Sequence, residues 1–203
     1  MRNFPWRSRG LTVYHLIIAE VLLQRTKAET VANFYPKFIQ DFPSWQSLGL
    51  TSIESIEQYL MPIGLYKQRA IRLKKLALEM VKRNGKVPSE REELESIPFM
   101  GQYIANAVEL IIHGKRLPLI DVNMARVLER YFGKRKMADI RYDPYLQKLA
   151  FKVANHTSSK ELNWAIIDFA ALICKARSPL CKNCMLTKKC TYNRLNLISK
   201  KNR

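Results

Sequence analysis

Apolar side chains return every three or four residues along nearly the whole chain, and the strict alternation that makes a half-buried strand is scarce. That period predicts an almost all-α protein. Helices are expected near 12–25, 28–41, 52–60, 66–83, 90–97, 102–113, 122–132, 143–156 and 160–173, with Gly64, Asn84-Gly85, Gly114 and Gly133 as breaks between them. At 203 residues the chain can bury a substantial core as one domain or two small lobes. No repeat of solenoid length and no low-complexity block interrupts it. The closing run Lys200-Lys201-Asn202-Arg203 is expected to fray.

The segment from Glu93 to Phe132 carries the most specific local information. It reads as a short helix, a tight turn at Pro98-Phe99-Met100-Gly101, a second helix to about His113, an extended step, and Asp121 heading a third helix. Pro88-Ser89-Glu90-Arg91-Glu92 places Ser at a cap and Glu three residues on, a capping-box start for the first of these helices. Pro98 stops it. Gly101 is expected to supply the positive φ of the chain reversal and to leave uncovered the amides that open the next helix. Free amides at a helix start attract phosphate oxygens, so this turn reads as a backbone anchor for nucleic acid.

Charge agrees with that reading. There are 35 Lys and Arg against 17 Asp and Glu, a net charge of +18, which favours a polyanionic partner and salt-sensitive binding. An anionic membrane surface would also attract such a chain, but no signal peptide stands out and no apolar run approaches about 18 residues. A protein inside the cell, with no membrane association, is the simpler expectation. His15, His113 and His156 have no metal-ligand spacing.

All four cysteines fall in one stretch, Cys174-x6-Cys181-x2-Cys184-x5-Cys190. Thiols bunched this closely point to metal rather than disulfides. Zinc and an iron–sulfur cluster both accept four thiolates, although zinc ribbons more often use two Cys-x2-Cys knuckles with a longer insert. Lys175, Arg177, Lys188 and Lys189 surround the cysteines with cations, suited either to a DNA-facing surface or to a solvated basic tail.

Two carboxylates stand out. Glu20 lies in Leu16-Ile17-Ile18-Ala19-Glu20-Val21-Leu22-Leu23, a helix apolar almost all round, so it should be largely buried. Desolvation would then favour its protonated form, leaving a proton donor near neutral pH, unless an arginine such as Arg7 or Arg9 pairs with it. Asp121 follows the extended Leu117-Pro118-Leu119-Ile120 and is placed to cap the helix after it. An ionised carboxylate there could oppose positive charge growing on a sugar.

Leu94 to Phe132, Glu20 with Val21-Leu22-Leu23-Gln24-Arg25-Thr26, and the cysteine spacing together resemble the helix-hairpin-helix base-excision DNA glycosylase superfamily, which includes endonuclease III and adenine DNA glycosylase. The likeness runs over almost the whole chain. Phe99 stands where the family usually has the first hairpin glycine, and only Gly101 is kept.

The resemblance implies two lobes, a six-helix barrel at 27–133 and a discontinuous lobe of 1–26 with 134–203, with the cleft between them for an extruded base. It implies a 4Fe-4S cluster on Cys174, Cys181, Cys184 and Cys190. Asp121 matches the family's active-site aspartate, and Glu20 the glutamate of adenine and archaeal thymine-mismatch glycosylases. Tyr103 occupies the place of the lysine that forms a Schiff base in strand-cleaving members, so abasic sites should be left uncleaved. Gln24 or Arg25 would fill the gap left by the flipped base, and the loop Ile63-Gly64-Leu65-Tyr66-Lys67 would add a second wedge, with Lys67, Arg69 and Arg72 supplying charge. Met100, Gly101 and Gln102 of the hairpin, with Arg177 near the cysteines, complete the expected DNA contacts.

The expectation is therefore a monofunctional glycosylase that removes thymine or uracil opposite guanine from double-stranded DNA, acts as a monomer, and is cytoplasmic and nucleoid-associated if the source is prokaryotic. The alternatives are an adenine glycosylase acting opposite guanine or 8-oxoguanine, less well suited because the sequence stops soon after Cys190, and a non-catalytic helix-hairpin-helix module.

Overall fold

The structure, a computed structural model, describes residues 1–195, and the basic run 200–203 lies outside them. Among the described residues every regular element is helical. They are α1 (Val13–Leu23), α2 (Ala28–Asp41), α3 (Trp45–Leu50), α4 (Ile53–Leu60), α5 (Tyr66–Lys82), α6 (Arg91–Ser96), α7 (Gln102–Ile111), α8 (Val122–Phe132), α9 (Pro144–Ala154) and α10 (Ser159–Leu172). Short 3-10 turns lie at Pro5–Arg7, Met61–Ile63, Cys181–Asn183 and Thr187–Lys189. The all-α expectation holds, and no described helix is long and apolar enough to cross a membrane.

Two compact units form, residues 3–113 and residues 114 onward together with Met1 and Arg2. The resemblance divides the chain at other bounds, 27–133 against 1–26 with 134–203. In the first unit α1 packs on α2 and α7. Leu16, Ile17, Ile18, Ala19, Val21 and Leu22 are all buried, and each large one contributes about 1.5–3 kcal/mol. Helix α2 buries Val31, Tyr35 and Phe38 on one face, and α5 buries Leu73, Leu76 and Met80.

Helix α3 was not expected. Six residues show too little of a 3.6-residue period, but Ser44 caps it by accepting from the Ser47 amide at 3.1 Å, while the Ser47 hydroxyl accepts from the Ser44 amide. Lys74 of α5 ties its far end by donating to the carbonyls of Gly49 and Thr51.

The hairpin between α6 and α7 departs from two sequence expectations. Glu90 rather than Ser89 stands at the N-cap of α6 and makes no side-chain cap bond, while Ser89 Oγ lies 3.4 Å from the Glu90 carboxylate. The left-handed residue of the turn is Phe99, at φ 71°, while Gly101 is extended at φ −66°. The first family glycine is thus replaced by a residue that still adopts glycine's conformation. The Arg72 guanidinium, 5.0 Å from the Phe99 ring, and the adjoining core hold it there. Arg91 braces the hairpin, donating to Asn106 Oδ1 at 2.7 Å and to the buried Glu109 carboxylate.

In the second unit residues 115–121 lead into α8 without regular structure, the Leu117 amide donating to the Lys115 carbonyl at 3.1 Å. Helices α8, α9 and α10 enclose Ile120, Met124, Ala125, Leu128, Leu146 and Ala150. Asn163, fully buried on α10, accepts from the Leu119 amide at 2.7 Å and donates to the Leu117 carbonyl at 3.0 Å. One side chain thereby fixes the segment that leads to Asp121. Asp143 caps α9 and also accepts from the amides of Lys136 and Met137, which holds its carboxyl below the usual range.

Candidate functional site

Asp121 sits at the N-cap of α8, and the first turn of the helix holds it in place. Its Oδ1 accepts from the amides of Asn123 at 3.0 Å and Met124 at 2.8 Å, and its Oδ2 accepts from Asn123 Nδ2 at 2.6 Å. The expected N-cap is therefore formed, with a side-chain brace added. Asp121 is neither buried nor fully exposed, so a carboxylate already oriented by the backbone can still meet a ligand.

Helix α8 also reaches the cysteines. Arg126 spans from Asn123 Oδ1, at 3.1 Å, to the carbonyls of Cys174 and Ala170, both at 2.9 Å. One turn on, Arg130 donates to the carbonyls of Lys175 and Ala176 at 2.7 and 3.0 Å, and its guanidinium lies 4.7 Å from the Tyr192 ring. Sequence reading passed over both arginines. Their i, i+4 spacing was visible, but the backbone carbonyls they bind lie more than forty residues away.

Cys174, Cys181, Cys184 and Cys190 line one cavity with Ile173, Pro179 and Leu180. Burial, together with the other three cysteines, pushes the Cys181 thiol pKa up. Thiolates this close repel unless a cation lies among them. Among the described residues no group of three or more His, Cys, Asp or Glu is drawn together closely enough to hold a metal ion. Four thiols lining one apolar cavity are a donor set that zinc and an iron–sulfur cluster both accept. Arg177 and Lys175 are exposed in the loop between the first two cysteines.

In the first unit Glu20 is 6% exposed, as its apolar helix predicted. Gln24 caps α1 and is half-buried, while Arg25 is exposed in the left-handed region at φ 58°. Lys67 is exposed at the start of α5. Of the apolar residues before it, Ile63 is buried, whereas Met61 and Leu65 are 58% and 48% exposed. Tyr103 packs partly buried on the core beneath the hairpin, Gln102 is half-buried and Gly101 is exposed.

Two expectations need correction. Met100, 1% exposed, is a core side chain, so only its backbone could meet DNA. Arg69 is 4% exposed and supplies no surface charge; its guanidinium turns inward to the carbonyls of Gln24, Ile63 and Gly64 and the hydroxyl of Thr26. Burial and the neighbouring Arg72 lower its pKa from the ordinary value. The structure brings Gln24 and the loop at 63–65 together through Arg69, and Asp121 and the cysteine loop together through α8.

Residues 18–152 match the HhH-GPD superfamily of base excision DNA repair proteins. A thymine/uracil-DNA glycosylase of Pyrobaculum aerophilum is 38% identical over 189 residues, covering 91% of this chain and 82% of its own. Among solved structures, a thermostable thymine-DNA glycosylase superposes with a TM-score of 0.86 at 33% identity, covering 96% of this chain and 89% of its own. An endonuclease III in non-covalent complex with DNA superposes with a TM-score of 0.81 at 25% identity, covering 98% and 88%.

Proposed function

Because this chain belongs to the HhH-GPD superfamily of base excision DNA repair proteins, we propose that it is a mismatch-specific DNA glycosylase that hydrolyses the N-glycosidic bond of thymine or uracil opposite guanine. The observation that carries the chemistry is Asp121, held by two amides and Asn123 at the mouth of α8. Breaking an N-glycosidic bond builds oxocarbenium charge on the sugar, and a pre-oriented carboxylate opposes that charge more strongly in the transition state than in the substrate.

The target nucleotide is swung out of the duplex, and Glu20, shielded from bulk water, donates a proton to the departing base. Asp121 faces the sugar and orients the attacking water. Tyr103 lines the base pocket. A phenol forms no Schiff base with the sugar, so the product is an intact strand with an abasic site. Gln24 and Arg25 fill the vacated stack, and Lys67, Gln102, Arg177 and the exposed backbone at Gly101 hold the phosphates.

The four cysteines hold a 4Fe-4S cluster, which stiffens the loop carrying Arg177 and takes no part in bond breaking. The donor set and its apolar pocket support this. Iron analysis and a visible spectrum test it: about four irons per chain and broad absorbance are expected, and a colourless protein with one zinc per chain would overturn it. The protein acts as a monomer and, if the source is prokaryotic, in the cytoplasm with the nucleoid.

Single-turnover assays on G·T, G·U and 8-oxoguanine·A duplexes, each followed by alkali, test the activity. Abasic sites on the first two are expected. Cleavage on 8-oxoguanine·A alone would make it an adenine glycosylase, and none on any duplex would leave only a DNA-binding module.

A further inference from the structure

Arg69 is a buried cation whose hydrogen-bond partners are four neutral oxygens. Its Nη2 donates to Gln24 O at 2.9 Å and Thr26 Oγ1 at 2.8 Å, the two residues that flank Arg25. Its Nη1 donates to Gly64 O at 2.9 Å and Ile63 O at 3.3 Å, the two residues that precede Leu65, and its own amide donates to Leu65 O at 3.0 Å. Each prong of the guanidinium thus holds one turn. Each turn presents a single non-glycine residue in the left-handed region, Arg25 at φ 58° and Leu65 at φ 52°, both exposed. Such conformations persist only where the surroundings over-determine them.

Stability alone does not account for the arrangement. A buried charge with no carboxylate partner among the described residues is an expensive way to join two loops that an apolar contact could join, and in some proteins such groups serve to fix a geometry rather than to add stability. A planar fork fixes both the distance and the orientation of what it grips, which a lysine cannot do.

We propose that Arg69 is a positioning residue that locks the turns at 24–26 and 63–65 into one rigid element, so that Arg25 and Leu65 enter the duplex together. The proposal rests on the reading that these turns engage DNA. Opening the duplex then requires no separate ordering of either turn, and loss of Arg69 slows base extrusion while leaving attraction to phosphate intact.

The test uses the full-length protein and a G·T duplex with 2-aminopurine beside a 2′-fluoro thymidine that resists excision, in parallel with single-turnover excision on the natural duplex. Arg69→Lys and Arg69→Met are expected to bind the duplex within about threefold of wild type, yet to lose most of the fluorescence rise and about 30-fold in excision rate. Arg69→Lys is the charge control, and recovery of both signals by lysine would overturn the proposal. A double-mutant cycle of Arg25→Ala and Leu65→Ala needs no change at Arg69. Coupling of at least about threefold in the fluorescence rise is expected, and independent effects would overturn the proposal even where the Arg69 variants do not fold.

A wild type that raises the fluorescence but yields no abasic site removes the glycosylase reading and leaves the coupling in place. A wild type that excises normally, beside Arg69 variants that do the same, removes the coupling alone. Unchanged fluorescence with wild type overturns the coupling.

Discussion

Arg126 Nε donates to the carbonyl oxygen of Cys174 at 2.9 Å, while its Nη2 reaches Asn123 Oδ1 at 3.1 Å. Asn123 in turn braces Asp121. One helix therefore links the carboxylate proposed for catalysis to the loop that bears the first cysteine.

Arg126→Met should leave the carbonyls of Cys174 and Ala170 without this donor, a loss of about 2 kcal/mol in stability. It should also loosen Asn123, so excision falls by about tenfold while affinity for undamaged duplex stays within about twofold. Thermal unfolding and single-turnover rates measure the two effects. An unchanged rate beside a lowered melting temperature would confine Arg126 to a structural role.

Asp121→Asn separates the cap from the chemistry. Asparagine caps helices as well as aspartate, so the fold and mismatch affinity should persist. Excision should drop by at least about 10²-fold, since the opposing charge is gone. Retained excision would remove Asp121 from the mechanism.

Gly101 is the sharpest test of the hairpin as a phosphate anchor. It is extended at φ −66°, and a Cβ built there meets nothing within 4 Å, so nothing in the chain itself requires glycine. Gly101→Ala should therefore change stability by less than about 1 kcal/mol, the scale of a weakened N-cap. It should reduce duplex affinity by about tenfold, because a methyl group then stands where a phosphate approaches. Unaltered affinity would mean that DNA does not touch this turn.

Tyr103→Lys would place an amine at the position that the family resemblance assigns to the lysine of strand-cleaving members. Borohydride trapping should then capture a protein–DNA adduct that the wild type does not form. An active variant that traps none would place residue 103 away from the sugar.

A change at Phe99 tests how the turn tolerates its lost glycine. Phe99→Val forces a β-branched residue into the left-handed region and removes the ring beneath Arg72, so a loss of about 2 kcal/mol or more is expected in chemical denaturation. Phe99→Gly relieves the strain but loses the ring, and should fall well short of that loss.

Much of this was legible before folding. The 3.6-residue period predicted every longer helix to within a few residues, the apolar surroundings of Glu20 predicted its burial, and Asp121 before an apolar run predicted its cap. Helix α3 escaped because six residues carry too weak a period, and the start of α6 fell one residue later than expected, with Glu90 rather than Ser89 at the N-cap. A lone asparagine in Leu162-Asn163-Trp164-Ala165-Ile166 was a readable sign of a buried polar role, but not of the partners it would find.

The sequence by itself determined which segments are helical, where the thiols cluster and which carboxylate heads α8, because these depend on neighbours a few positions apart. Tertiary structure alone decided that Arg69 faces inward, that Met100 lies in the core, that Phe99 rather than Gly101 takes the left-handed conformation, and that Arg126 meets Cys174. Those outcomes depend on which distant backbone oxygens and side chains arrive beside each residue. The chain's local period carries no record of them.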